Sequence, residues 1–302
     1  MALNMVVQCW AQYNLQPGDE VLLCHEDHHG MVLPWIKWAQ DRGVIIRAYK
    51  LHQNGSINVN DMRTQITART KICCVTHINN TVGWVNDLKA IGELLPDYVM
   101  LNVDVAQSIS HTPIRMDEWG IDFLSFSGHK MYALSGIGAL CVSSRVQKQM
   151  HPLLYGGGMA EYKGGDPFYV RFEAGTLHSA GIVSLGSACM FIQSIDADML
   201  LGDLTQILYE RLLQNPRIDL LYEQKPYALD RLSGIASFTV EGIDCGELAD
   251  ILSEDGIFVR VGRQCSGAKE SVRVSLQIYN RKDEVLRFCD LLDHIIHDAL
   301  DM

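Results

Sequence analysis

Short apolar segments alternate with helix-length segments through the first half of the chain. Six of the apolar segments have the length of strands and lie at 21–23, 44–48, 72–76, 99–103, 123–125 and 138–142. Helical spacing of apolar residues occupies 31–42, 59–66 and 88–95. Strands separated by helices of about 10 to 15 residues are typical of βαβ units. The pattern therefore predicts an α/β fold whose large, mostly parallel sheet carries helices on both faces.

The pattern changes after residue 180. Helical periodicity runs from Gly181 to Gln214, and shorter apolar strands follow at 235–240, 258–261 and 272–275. An amphipathic helix over 284–300 closes the chain. This mixture predicts a smaller C-terminal α+β domain. We place the large domain at residues 1–185 and the small domain at residues 186–302.

The chain opens in the middle of a pattern. Met1 to Trp10 has the spacing of an amphipathic helix interior, with no capping residue before it. We therefore expect that sequence is missing upstream and that the large domain lacks its N-terminal part.

Composition restricts the partners and the compartment. The net charge of −11 argues against nucleic acid or an anionic membrane as a partner. No apolar run reaches the roughly 18 residues of a membrane span, and no signal peptide opens the chain. The nine cysteines include no CxxC pair, so we expect no metal site. Several of them lie in apolar strands, as free thiols do, which predicts a reducing, cytoplasmic location.

Polar residues stand at or just after the ends of four predicted strands. They are His28, Asn80, Asp104 and Lys130. Ligands of parallel sheets bind at the carboxyl ends of the strands. We therefore expect these side chains to share one pocket.

The surroundings of Lys130 indicate a cofactor. A partly desolvated lysine forms a Schiff base with a carbonyl, and pyridoxal phosphate (PLP) is the commonest such carbonyl in metabolism. The ring nitrogen of PLP needs a carboxylate, which Asp104 would supply at the end of the apolar run 99–103. Ser127 and His129 flank the lysine with groups that can hydrogen-bond a phosphate. Together these residues predict a PLP site.

Six segments carry a resemblance to a known family. They are Glu26-Asp27-His28-His29-Gly30 with Pro34-Trp35, His77 to Gly83, Val103 to Gln107, Ser127 to Tyr132, Arg171 to Thr176, and Val259 to Cys265. On these segments the chain resembles the PLP-dependent class V aminotransferase family, and within it the cysteine desulfurases and selenocysteine lyases of the SufS/CsdA type. The resemblance implies the type I fold of PLP-dependent transferases.

The resemblance assigns residues to the cofactor ring. Lys130 would hold PLP covalently, Asp104 would pair with the ring nitrogen and Gln107 would contact the phenolic oxygen. His28 would stack on the ring, although from the residues alone the neighbouring His29 is an equally good candidate.

Further residues are assigned to the phosphate and the substrate. The resemblance implies that Ser127 and His129 hold the phosphate, and that Asn80 and Arg273 bind the substrate carboxylate. Thr176 would reach the phosphate of a neighbouring subunit, which implies a homodimer with composite sites.

Cys265 is the expected nucleophile. It follows the predicted strand 258–261 and lies near Arg260 and Arg263, whose positive charge favours a thiolate. In the resembling family this position takes sulfur from L-cysteine or selenium from selenocysteine. The products would be L-alanine and a persulfide, which a sulfur-acceptor protein collects for iron–sulfur clusters or other sulfur-transfer pathways. Only residues 266–272 separate Cys265 from Arg273, so we expect a tight loop.

Two other interpretations of the sequence stay open. The chain could be a different class V PLP enzyme, an aminotransferase or a lyase acting on another amino acid, in which Cys265 has no role. It could also be a truncated, inactive relative that persists as a folded or partner-binding protein.

Overall fold

A computed structural model of the protein describes residues 1–52, 54–159, 167–221, 231–266 and 268–300. Its main sheet has six strands in the order β2-β1-β3-β4-β5-β6. They are β1 (Glu20–Leu23), β2 (Ile45–Ala48), β3 (Thr70–Thr76), β4 (Met100–Asp104), β5 (Phe123–Ser127) and β6 (Gly138–Val142). The first five strands are parallel, and β6 runs antiparallel to β5 at the edge.

Helices connect most of these strands. The first helix, α1, has three consecutive parts: α-helical Ala2–Met5, π-helical Val6–Ala11 and α-helical Gln12–Asn14. It is followed by α2 (His29–Gln40), α3 (Val59–Gln65), α4 (Leu88–Leu94) and the short α5 (Ser144–Gln147). The predicted helices at 31–42, 59–66 and 88–95 correspond to α2, α3 and α4.

Both faces of the main sheet are buried. Val21 and Leu23 of β1 pack into a core that includes residues of α1 and α2, such as Trp35. Leu22, which points to the other face, packs into a second core with Met62 of α3. Helices therefore cover the sheet on both sides, and the predicted α/β architecture with a mostly parallel sheet is confirmed.

A second sheet lies in the C-terminal part of the chain. It is antiparallel, in the order β7-β8-β10-β9. Its strands are β7 (Ile218–Leu220), β8 (Ile235–Val240), β9 (Arg260–Gly262) and β10 (Ser271–Ser275). The sequence placed the third strand at 258–261, but the structure begins β9 at Arg260, and Phe258 is 83% exposed.

Two long helices replace the single helical region predicted over 181–214. They are α6 (Ser179–Gln193) and α7 (Ala197–Gln214), which are bent by 73° relative to each other. Asp196 caps α7 by accepting a hydrogen bond from the backbone N of Met199 at 3.2 Å. The predicted domain boundary at residues 185 and 186 falls inside α6 and stays a prediction.

The remaining helices are α8 (Cys245–Glu254) and α9 (Lys282–Leu300). Residues of α7, α8 and α9 pack with the second sheet around a separate apolar core that includes Leu208, Phe238 and Leu292. Among the described residues, no single helix is long and apolar enough to cross a membrane. Only α6 and α7 taken together across their bend reach the length and apolarity of a span.

Tyr209 of α7 ties the two sheets together. Its buried hydroxyl group lies 3.1 Å from the carbonyl oxygen of Val82, in the loop after β3, and 2.8 Å from that of Ile235, at the start of β8. The backbones approach closely here, because a Cβ atom added to Gly83 would lie 2.7 Å from the Ile235 oxygen. Gly83 also has a positive φ of 70°, which favours glycine.

We predict that Tyr209→Phe lowers the free energy of unfolding by about 1 to 3 kcal/mol, because it leaves buried carbonyl oxygens without their donor. Urea unfolding followed by circular dichroism measures the change. Tyr13→Phe, which removes a hydroxyl group from a side chain that is 48% exposed, is the matched control. Equal urea midpoints for the two variants would show that the Tyr209 hydroxyl does not stabilise the contact between the sheets.

Candidate active site

A cavity of about 770 Å³ opens at the carboxyl end of the main sheet. Seven of the residues that the sequence assigned to a site line it: His28, Asn80, Asp104, Gln107, Ser127, His129 and Lys130. The first turn of α1 and the side chain of Arg260 line it as well. The parallel strands thus bring together polar residues that lie far apart in the sequence.

Asp104 ends β4 at the floor of this cavity. Its carboxylate accepts a hydrogen bond from the backbone N of Ala106 at 2.8 Å. Burial raises the pKa of Asp104, while the Ala106 hydrogen bond and the charge of Lys130 act in the opposite direction. Asp104 is therefore a buried acid with partners that favour its ionised form.

Lys130 lies directly after β5, in the 3₁₀ turn Gly128–Met131. Burial lowers the pKa of Lys130; the Asp104 carboxylate opposes this, and the charges of Arg273 and Arg260 add to it. A lowered pKa leaves more of the amine uncharged and able to attack a carbonyl. The turn needs glycine, because a Cβ atom at Gly128 would lie 2.6 Å from the side chain of Ile137.

The structure distinguishes the two adjacent histidines. His28 is half-buried at the N-cap of α2, and its Nδ1 accepts a hydrogen bond from the backbone N of Gly30 at 3.0 Å. Burial lowers the pKa of His28, and the charge of Lys130 contributes in the same direction. His29 is exposed and does not line the cavity. The geometry therefore favours His28 as the ring that faces a ligand.

Ser127 and His129 form a polar pair at the cavity wall. The Ser127 Oγ lies 2.8 Å from the His129 Nδ1, a hydrogen-bond distance. This contact fixes the imidazole ring and leaves its Nε2 for another partner. The pair can therefore present donors to an anionic group.

Ser125 is a lining residue that the sequence did not single out. Its hydroxyl group is buried and has no hydrogen-bond partner among the described residues. A buried hydroxyl group without a partner is costly unless a ligand satisfies it. The polar groups of the cavity fit the ring and phosphate of PLP. They are an amine, a carboxylate, an imidazole and hydroxyl groups. Ser125 is the last residue of the strand predicted at 123–125, and this position was the sequence signal that could have identified it.

The loop that carries Cys265 connects β9 to β10. Gln264 and Cys265 have positive φ angles of 53° and 55°, which are uncommon for residues other than glycine. Hydrogen bonds to segments that follow β1 and β3 hold both residues in this conformation. The backbone N of His29 donates to the Cys265 oxygen at 2.8 Å, and the Asn80 side chain donates to the Gln264 oxygen at 2.8 Å.

The Cys265 side chain is exposed and has one cationic neighbour at hydrogen-bond distance. Arg260 Nη2 lies 3.3 Å from the Cys265 Sγ, and the same arginine lines the cavity. Arg263, which the sequence also placed near the thiol, is exposed, and no contact joins it to the sulfur. Arg260 therefore connects the thiol with the cavity.

Arg273 and Thr176 do not line the cavity. Arg273, on β10, donates from Nη1 to the backbone oxygen of Asn80 at 2.9 Å, so it lies behind a lining residue. Its Nε is buried without a partner in the described part of the chain. Thr176 is exposed between the 3₁₀ turn Phe168–Arg171 and α6. The roles of both residues stay predictions.

Comparisons with known proteins define the family. The model of the aminotransferase class-V family matches residues 1–288. The chain therefore belongs to the aminotransferase class-V family, as the sequence resemblance predicted.

Individual relatives agree with this assignment. A probable cysteine desulfurase of Synechocystis sp. is 32% identical over 98% of this chain and 74% of its own length. The apo structure of a cysteine desulfurase from Thermococcus onnurineus superimposes with a TM-score of 0.90 at 27% identity, covering 98% of this chain and 77% of that one. The cysteine desulfurase CsdA of Escherichia coli gives a TM-score of 0.89 at 28% identity, covering 99% and 76%.

We predict that Arg260→Gln slows alkylation of Cys265 by iodoacetamide at neutral pH by a factor of roughly 2 to 5, the effect of losing one exposed charge contact. Peptide mapping by mass spectrometry gives the rate at this cysteine alone. Arg263→Gln removes the same charge two residues from Cys265 and should change the rate less. An equal effect of the two substitutions would contradict a specific contact between Arg260 and the thiol.

Proposed function

We propose that this chain is a PLP-dependent cysteine desulfurase, which converts L-cysteine to L-alanine and keeps the sulfur as a persulfide on Cys265. One observation carries the proposal. A single cavity contains Lys130 and Asp104, and the arginine in its wall contacts the Cys265 thiol at 3.3 Å. Relatives named as cysteine desulfurases match nearly the whole chain, which supports the same reaction.

PLP supplies an electron sink when bound, because its protonated ring delocalises the negative charge that forms at the substrate Cα. In this proposal Lys130 binds the cofactor, and Asp104 pairs with the ring nitrogen. His28 would lie against the ring and Gln107 would contact the phenolic oxygen, whereas the Ser127–His129 pair would bind the phosphate.

The protein's own residues then perform the remaining chemistry. The amine of Lys130 would take the proton from the substrate Cα as a general base. Its lowered pKa suits this task, since a base must be uncharged to accept a proton. Asn80 lines the cavity and Arg273 donates to its backbone oxygen, which supports the proposal that these two residues bind the substrate carboxylate.

The Cys265 thiolate attacks the substrate sulfur. A sulfur–sulfur bond forms and the carbon–sulfur bond breaks, and its electron pair stays with the substrate carbon. Protonation of that carbon and return of a proton to Cα by Lys130 give alanine. Arg260 places its positively charged guanidinium group next to the attacking sulfur.

We also infer a homodimer and a protein that accepts the sulfur. Exposed apolar side chains cluster in sequence around Thr176 and α6, among them Leu177, Ile182, Val183 and Met190. Covering them in a dimer would remove this apolar surface from water and could bring Thr176 to the partner's phosphate site. The exposed position of Cys265 is compatible with sulfur transfer to an acceptor.

A reducing compartment, such as the cytoplasm, suits the proposed chemistry. All nine cysteines are free, and Cys265 must stay reduced to act as a nucleophile.

We predict that PLP added to the protein gives a visible absorption band, and that borohydride fixes the cofactor on Lys130. Mass spectrometry of the digested protein locates the adduct. Lys130→Ala should lack the adduct. Lys148→Ala, which removes a lysine outside the cavity, should retain it. An adduct on a lysine other than Lys130 would refute the assignment of the cofactor site.

We predict that L-cysteine leaves a persulfide on Cys265 of the PLP-loaded protein and releases alanine. Cys265→Ser should reduce sulfide release by at least about tenfold, because no thiolate remains to take the sulfur. Cys141→Ser, at another exposed cysteine, is the control and should retain the activity. A persulfide found elsewhere, or full activity of Cys265→Ser, would exclude Cys265 as the nucleophile.

A further inference from the structure

A second carboxyl group lies buried next to Asp104. Asp27 lies in the loop between β1 and α2, and it is 4% exposed. Thr76, at the end of β3, lies beside Asp27 and is in register with Asp104 on the neighbouring strand. The two acids therefore belong to one cluster at the carboxyl edge of the main sheet. Asp104 lines the cavity, whereas Asp27 does not.

Hydroxyl groups, thiols and other acids surround Asp27 in the described part of the chain. The Tyr49 hydroxyl group lies 3.5 Å from Asp27 Oδ2. The same hydroxyl donates to the backbone oxygen of Cys74 at 3.0 Å. A phenol has one proton, and the nearer carbonyl takes most of it. Tyr49 therefore donates little to the Asp27 carboxyl group. This contact is consistent with an Asp27 that is itself protonated.

Asp104 has partners that favour its charge. The Ala106 backbone N donates to its carboxylate at 2.8 Å, and Lys130 provides a positive charge. Two carboxyl groups in one buried site do not both ionise readily. Burial and the charge of Asp104 raise the pKa of Asp27 to about 7, against the effect of the Thr76 hydroxyl.

We propose that Asp27 is a positioning residue whose carboxyl group keeps its proton until the pH approaches neutrality, so that Asp104 carries the negative charge of the pair. This rests on the proposed function, in which Asp104 faces the ring nitrogen of PLP. An ionised Asp27 would increase the cost of ionising Asp104. A neutral Asp27 thus keeps the charge on the acid that lines the cavity.

The other groups that face Asp27 come from four elements. They are Asp104 on β4, Cys73 and Cys74 on β3, Tyr49 after β2, and Cys24 and Glu26 in the loop after β1. Burial raises the pKa values of the tyrosine and the three thiols above their ordinary range, so these groups stay neutral near pH 7. The tyrosine and the thiols therefore place no charge beside Asp27 near pH 7.

The sign of the stability effect follows from the raised pKa. In the unfolded chain Asp27 ionises near its ordinary pKa of 3.8, whereas in the folded protein it keeps its proton up to about pH 7. Unfolding therefore releases a proton between these values, and stability falls as the pH rises through this window. Asparagine has the shape of the protonated acid and does not titrate.

We predict that Asp27→Asn becomes progressively more stable than the wild-type protein as the pH rises from about 4 to about 7, and that the difference is constant above pH 7. Urea unfolding of the full chain, without PLP or substrate, measures it. Glu26→Gln removes the same charge from the neighbouring residue and should not reproduce the trend. A difference between wild type and Asp27→Asn that does not change with pH would overturn the proposal.

Infrared titration of the wild-type protein gives a second test that needs no folded Asp27 variant. The absorption of a protonated carboxyl group should disappear with a midpoint near pH 7. Asp104→Asn should move this midpoint to lower pH, because it removes the neighbouring charge. Absence of a protonated carboxyl group at pH 6, or a midpoint that Asp104→Asn leaves unchanged, would contradict the proposal. Neither the unfolding measurement nor the infrared titration depends on turnover. A failure of the desulfurase assignment can therefore be distinguished from a failure of the proposal for Asp27.

Discussion

The parallel pairing of β1, β3, β4 and β5 is the constraint on which the rest of the structure depends. Parallel strands end at the same edge of the sheet, and here both faces of that sheet are buried by helices. Polar side chains at the carboxyl ends of these strands therefore meet at one edge of the sheet. Asp104 ends β4, and Lys130 follows β5 after one short turn, so the pairing itself brings the acid and the amine into one cavity.

The second sheet completes the site through its contact with the first. Tyr209 bonds to backbone oxygens on both sides of this contact, and Arg273 bonds to Asn80 across it. The loop between β9 and β10 accepts hydrogen bonds from His29 at the start of α2 and from Asn80 in the loop after β3. These bonds hold Cys265 in a left-handed conformation that an isolated loop would rarely adopt. The position of the thiol is therefore a property of the interface between the sheets.

Desolvation is the main cause of the pKa shifts at the site. Burial raises the pKa of Asp104 and lowers those of Lys130 and His28, and in each case it is the largest contribution. The charges of neighbouring groups then act on top of burial. Asp104 and Lys130 favour each other's charged forms, whereas Asp27 has no such cation beside it among the described residues. The same sheet edge thus gives two aspartates different protonation behaviour.

The sequence by itself determined the fold class and seven of the residues that line the cavity. The spacing of apolar residues predicted the strands and helices of the α/β sheet. This was possible because each element that buries one face repeats its apolar residues at a fixed local period. Residues at strand ends, such as Asp104 and Lys130, followed from the rule that parallel sheets gather their carboxyl ends. The helical periodicity predicted over 181–214 is present, and the structure divides it into α6 and α7, which are bent by 73° relative to each other.

Only the tertiary structure decided the contacts between distant segments. Both His28 and His29 satisfied the sequence pattern, and packing of α2 put only the first ring at the cavity. Arg260 and Arg263 were equivalent neighbours of Cys265 until the loop conformation brought Arg260 alone to the sulfur. The burial of Asp27 beside Asp104 was likewise invisible in the sequence. Desolvation and charge coupling depend on distances in space, which the order of residues does not contain.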